Sequence, residues 1–157
     1  MKKHRSRLVL LVALALFLVF SPIAPGQAAF NAVVTNTSDS GVGSLRQALT
    51  DVDPGGTITF SGIDFPATIT LSSPLSINKD VTIQGPGASQ LTISGGNLCR
   101  VFSINGVTVN LSGLSVKNGK ANEAGGIYVN GGALAAISCG ITNNNALGGG
   151  GGAVKGE

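Results

Sequence analysis

The sequence predicts an all-β chain wound as a parallel β-helix, a solenoid with a short capping α-helix at its N-terminal end. Three observations carry that prediction. Short apolar–polar–apolar runs recur between Gly56 and Ile141: Ile58-Thr59-Phe60, Ile69-Thr70-Leu71, Val81-Thr82-Ile83, Leu91-Thr92-Ile93, Val107-Thr108-Val109 and Leu114-Ser115-Val116. Period-two alternation with Gly, Asn, Ser or Pro close behind is a strand signature. The runs also repeat as a set: Val109, Leu111, Leu114 and Val116 return 25 residues later as Leu134, Ala136, Cys139 and Ile141. The same shift carries Asn118 to Asn143 and Ala121 to Ala146. Finally, the chain holds 24 Gly, no Trp and only 4% aromatic residues, which suits thin layers that each bury their core against the next.

The first 29 residues stand apart. Lys2, Lys3, Arg5 and Arg7 precede an uninterrupted apolar run from Leu8 to Phe20, and Ser21-Pro22 breaks it. Gly26-Gln27-Ala28 and Gln27-Ala28-Ala29 both offer small residues for cleavage, after Ala28 or Ala29, the pattern of a secretory signal peptide. The run's 13 residues fall short of the roughly 20 that span a bilayer, and no Cys follows to accept a lipid. Without this segment six basic residues face seven acidic ones, so the formal charge is 6 − 7 = −1 rather than the whole chain's +3. His4 leaves with it. No basic stripe remains to attract nucleic acid, and no membrane span is expected in the mature chain.

Phe30 to Thr35 reads as a first short strand, and Asn36 to Gly41 as a turn. Ser44 then starts a helix as N-cap, with Gln47 in place for a capping box. Leu45, Ala48, Leu49 and Val52 fall at i, i+3, i+4 and i+7 on one apolar stripe. Asp53-Pro54-Gly55-Gly56 ends the helix. An amphipathic helix just ahead of stacked strands is expected to cover the exposed first layer rather than pack along a side. The domain reading is therefore 1–29 signal peptide, 30–56 strand and capping helix, and 57–157 β-helix.

Three strands per period give about four layers. The first holds 58–60, 69–71 and 75–77; the second 81–83, 91–93 and 101–104. The third holds 107–111, 114–116 and 127–129, and the last 134–137, 139–142 and Ala153-Val154. Leu91-Thr92-Ile93 precedes Leu114-Ser115-Val116 by 23 residues and follows Ile69-Thr70-Leu71 by 22. Leucine-rich repeats have a similar period, but their Leu-rich signature is missing. A β-sandwich, with hairpins and longer strands, is the second choice.

Residues 31–49, Asn-Ala-Val-Val-Thr-Asn-Thr-Ser-Asp-Ser-Gly-Val-Gly-Ser-Leu-Arg-Gln-Ala-Leu, resemble the opening of bacterial right-handed parallel β-helix repeat proteins with a CSLREA-type N-terminal motif. The likeness continues through Leu75-Ser76-Ile77, Val81 to Ala88, Leu91 to Gly95 and Gly125-Gly126-Ile127-Tyr128. The motif core here is Gly43-Ser44-Leu45-Arg46-Gln47-Ala48, with Gly for the motif's Cys and Gln for its Glu. The resemblance implies a right-handed β-helix exported to the cell surface or medium, with the periplasm or outer membrane as further destinations. It also implies a usual length well beyond this one. The sequence closes at Val154-Lys155-Gly156-Glu157 in mid-repeat, which predicts a piece of a longer reading frame and an open C-terminal end prone to self-association.

β-Helices also host polysaccharide lyases and hydrolases. Those chemistries want paired carboxylates, or clustered acids for calcium beside a basic residue. Asp39, Asp51, Asp53, Asp64, Asp80 and Glu123 fall in turns or at the helix end, with no two on neighbouring outward positions. They read as solvated turn charges, and Arg100 and Lys117 as isolated. Gly148 to Gly152 lacks the Asp residues of a calcium-binding repeat and reads as a flexible turn. Cys99 and Cys139 are expected to be buried free thiols, about two layers apart. Asn118, Asn143, Asn144 and Asn145 suit left-handed turn positions and ladders between layers. Tyr128 is the one aromatic of an exposed type. No catalytic, metal or cofactor site emerges; the residues singled out are the cap's Ser44, Leu45, Gln47, Ala48, Leu49 and Val52. The functional expectation is a non-catalytic structural or adhesive module meeting a cell-surface or polysaccharide partner. The alternative is the N-terminal part of a carbohydrate-active β-helix whose active site lies beyond Glu157.

Overall fold

A computed structural model describes residues 29–148 and 152–156. The signal-peptide expectation lies outside the described residues, as does part of the Gly148-to-Gly152 run. The first turn of the solenoid pairs β1 (Ala32–Val34) with the helix α1 (Leu45–Asp51). The second runs through β2 (Thr57–Phe60), β3 (Ala67–Thr70) and β4 (Leu75–Ile77). The third holds β5 (Val81–Gln84), β6 (Leu91–Ser94) and the first half of β7 (Phe102–Ser112), which bends into the fourth turn. There follow β8 (Ser115–Lys117), β9 (Lys120–Ala121) and β10 (Ile127–Ile137), which bends likewise into the fifth. β11 (Gly140–Thr142), β12 (Asn145–Ala146) and β13 (Val154–Gly156) complete it.

All pairing is parallel, each strand beside its counterpart one turn away, about 4.8 Å per step. One column stacks Ala32, Ile58, Ile83, Leu111 and Ala136 in register. A second stacks Ile69, Ile93, Val116 and Ile141, and a third Leu75, Phe102, Ile127 and Val154. Down to Leu111, Ile141 and Ile127 these apolar ladders form one continuous core with Leu45, Leu49 and Val52, whereas Ala136 and Val154 in the fifth turn are exposed. Around Gly119 the chain folds back within one turn so closely that a Cβ would run into the Gly125 carbonyl.

Two expectations change. The stack has five turns rather than about four, because β1 pairs with β2 and opens a turn of its own. The shift from β3 to β6 is two residues longer than the sequence repeat suggests: Ile69 pairs with Ile93, and Ala67 with Leu91. A slip of two residues keeps every side chain on the same face, so alternation cannot detect it.

α1 occupies the place in the first turn where later turns carry strands of the second and third columns. Leu45, Ala48, Leu49 and Val52 are all buried. The Ser44 hydroxyl accepts from Gln47 N at 3.2 Å, satisfying one of the orphan donors of the first helical turn. The reciprocal half of the capping box does not form: Ser44 N donates to Gly41 O, and the Gln47 amide reaches forward to Asp51 at 2.7 Å. A tight turn at Gly41 supplies the acceptor first, so Gln47 is released to the helix surface.

Candidate functional site

The outer side of the third column carries the most varied chemistry on the rod. Ser76, Ser103, Tyr128 and Lys155 stand in register over four successive turns. At the neighbouring corner Asn105 pairs in register with Asn130, and its Nδ2 donates to Asn78 Oδ1 at 2.9 Å. Arg100 lays its guanidinium 4.5 Å from the Tyr128 ring centre, a cation–π contact. The same guanidinium donates to Ala124 O at 2.9 Å and Glu123 O at 2.6 Å. The Glu123 carboxylate meets Lys155 at 3.0 Å, so charge brackets the chain's only tyrosine.

Toward the N-terminal end this strip opens into a groove of about 380 Å³ between α1 and β4, lined by Arg46, Thr50, Pro74, Ser76, Asn78 and Lys79 among others. Both cations are committed to backbone carbonyls. Lys79 Nζ donates to Thr50 O at 3.0 Å and Val52 O at 2.8 Å, satisfying carbonyls at the helix C-terminus. Arg46 donates to Pro74 O at 2.9 Å and Ser73 O at 2.8 Å and pairs with Asp39 at 2.6 Å. Ser72 hydrogen-bonds the other Asp39 oxygen. Burial alone would raise the Asp39 carboxyl, but the Arg46 and Ser72 hydrogen bonds and the Arg46 charge outweigh it and hold it below its ordinary value.

The acids do more than sit in solvent. Asp53 accepts from Phe30 N at 2.8 Å, Asp80 from Thr108 N at 2.7 Å and Asp51 from Gln47. With Asp39 and Glu123, they fasten segments 4 to 33 residues apart. No carboxylate lines the groove, and among the described residues no three His, Cys, Asp or Glu side chains gather as a metal set. Arg100 is likewise engaged rather than isolated. The tethers of Arg46 and Lys79 end on carbonyls, which every residue possesses, so no side-chain pattern announces them.

Both cysteines are free and half-buried against the core rather than fully enclosed. Burial, then the Asp39 charge, pushes the Cys99 thiol up, with Arg46 opposing. Asn118 and Asn143 adopt left-handed backbone, φ 52° and 56°. Asn144 laces adjacent turns together, accepting from Gly119 N at 2.8 Å and donating to Val116 O at 3.0 Å. Among the described residues no helix is long and apolar enough to cross a membrane. What this strip offers is a ladder of hydroxyls and amides at strand spacing, the Tyr128 ring and a shallow groove at its head. No family model, curated protein or solved structure matches this chain.

Proposed function

We propose that the chain is an exported, non-catalytic β-helix module of a cell-surface or secreted protein, with a structural or adhesive role. The likeness of residues 31–49 to CSLREA-type repeat proteins supports this reading, as does the signal-like start. The observation that carries it is the third column's outer side. There Ser76, Ser103 and Tyr128, flanked by Asn78, Asn105 and Asn130, present donors and acceptors repeating at about 4.8 Å. A repeating polar strip suits an extended polymer such as a polysaccharide, with Tyr128 as the stacking element.

Two measurements test the reading. Expression with the native start is expected to yield an exported protein whose N-terminus is Ala29 or Phe30; an uncleaved product retained in the cytoplasm overturns export. Binding to cell-wall and extracellular polysaccharides is expected to fall at least tenfold in Tyr128→Ala. If polysaccharide binds but Tyr128→Ala and Ser103→Ala leave its affinity unchanged, the adhesive strip is elsewhere.

A further inference from the structure

We propose that the groove between α1 and β4 docks a short extended peptide with acidic side chains, which adds to the free edge of β4 as a further strand. In the third column β7 has a strand on each side, but β4 pairs only with β7. On its other side stands α1, in the turn where a strand of this column would lie. In a parallel sheet the backbone groups of successive residues point to opposite neighbours. Leu75 N donates to Val101 O at 2.9 Å, toward β7, so the N–H and C=O of Ser76 point the other way, into the groove. On that same side Pro74 O is taken by Arg46 at 2.9 Å. Among the described residues no strand claims the Ser76 pair, although described elements stand both before and after it.

The walls identify the occupant. Pro74 and Lys79 bracket β4, as prolines and lysines guard other sheet edges. They bar a long strand, yet the groove of about 380 Å³ stays open along β4 and leaves room for a short one. Strand addition of this kind draws its affinity from main-chain hydrogen bonds and its specificity from the side chains that flank them. Here charge sets those side chains. The Lys79 ammonium has three N–H donors and uses two, on Thr50 O and Val52 O. The Arg46 guanidinium has five and uses four. Asp39 balances Arg46, whereas Asp53 and Asp80 are turned onto Phe30 N and Thr108 N. Lys79 therefore leaves the groove with a positive charge that no lining carboxylate answers, and each cation keeps one N–H for a ligand. The site stands apart from the polysaccharide reading of the strip, since it uses neither Ser103 nor Tyr128.

The probe is a fluorescent pentapeptide, Val-Glu-Val-Glu-Val with an amidated C-terminus, titrated with the exported chain and followed by anisotropy. Saturable binding is expected, and the same peptide with Lys for both Glu should not bind. Ser76→Pro removes only the N–H that faces the groove, which a proline at a sheet edge allows, and should weaken binding about tenfold, the worth of one backbone hydrogen bond. Thermal melts confirm that the variant folds. Thr50, exposed on the helix wall, gives a second pair of variants that leaves the strand untouched: Thr50→Glu should weaken binding and Thr50→Lys strengthen it. Amide exchange at Ser76 should slow when the peptide saturates the chain. Ser103→Ala and Tyr128→Ala, which test the polysaccharide strip, should leave peptide affinity unchanged. Absence of saturable binding, equal binding of the Lys peptide, or Thr50→Glu and Thr50→Lys acting alike would overturn the proposal. So would a folded Ser76→Pro variant that binds as tightly as the unmodified chain.

Discussion

The first and the last described turns of this solenoid are held together by different chemistry. At the N-terminal end a helix replaces strands, and charged side chains are turned onto the backbone: Lys79 onto the last helical carbonyls, Arg46 onto Ser73 and Pro74, Asp53 onto Phe30 N. In the last described turn the strand pattern continues unaltered, and the lacing comes from Asn144 and the single ion pair of Lys155 with Glu123. A stacked fold has an interior that any repeat can supply, because each layer buries the one before it. The ends need residues that the repeat does not contain.

The largest expected effect comes from deleting the same side chain at two depths of one column. Ile93 and Ile141 flank Val116 in register, the first fully buried and the second only partly covered. Ile93→Ala is expected to cost about 2–5 kcal/mol of unfolding free energy, combining lost transfer energy with an unrelaxed cavity. Ile141→Ala should cost less than Ile93→Ala, because part of its surface already meets water. Urea unfolding of both variants reads the difference. Equal costs would mean that Ile141 is covered in solution, and a cost that grows with protein concentration would place the cover on a second copy.

Next in size is the cap. Ser44→Ala removes the acceptor for the part-buried Gln47 N–H, at a cost of about 1 kcal/mol. Gln47→Ala should cost less, since the Gln47 amide reaches only Asp51 on the exposed helix surface. Thermal melts of the two variants separate them. A larger loss at Gln47 would mean that the reciprocal capping bond forms in solution after all.

Most of the interior was legible because a solenoid writes its register into the sequence as periodicity. Val109 over Leu134 and Val116 over Ile141 follow directly from the 25-residue repeat. The β3–β6 step is not legible in the pattern, because Ile69 over Leu91 and Ile69 over Ile93 bury the same face. β1 could not be counted as a layer because α1 stands in the rest of its turn, leaving no second repeat to match. The polar strip was only partly visible: Tyr128 stood out by type, but its alignment with Ser76 and Ser103 depends on turn lengths that vary from step to step.

The smallest effect expected is also the one with the clearest sign. Asp39 ties the loop before α1 to Arg46 and Ser72, and its folded carboxyl titrates below the ordinary 3.8. The folded protein therefore holds this proton less tightly than the unfolded chain does. The resulting stabilisation is fully present above the unfolded value and is lost as pH falls through the folded one. Partial exposure of both partners limits its size. Urea midpoints of the wild type and Asp39→Asn, followed from neutral pH into acid, should differ most at neutral pH and converge below about 3.8. Curves that stay parallel through the acid limb would show that the N-terminal tether owes its strength to packing around Arg46 rather than to the charge on Asp39.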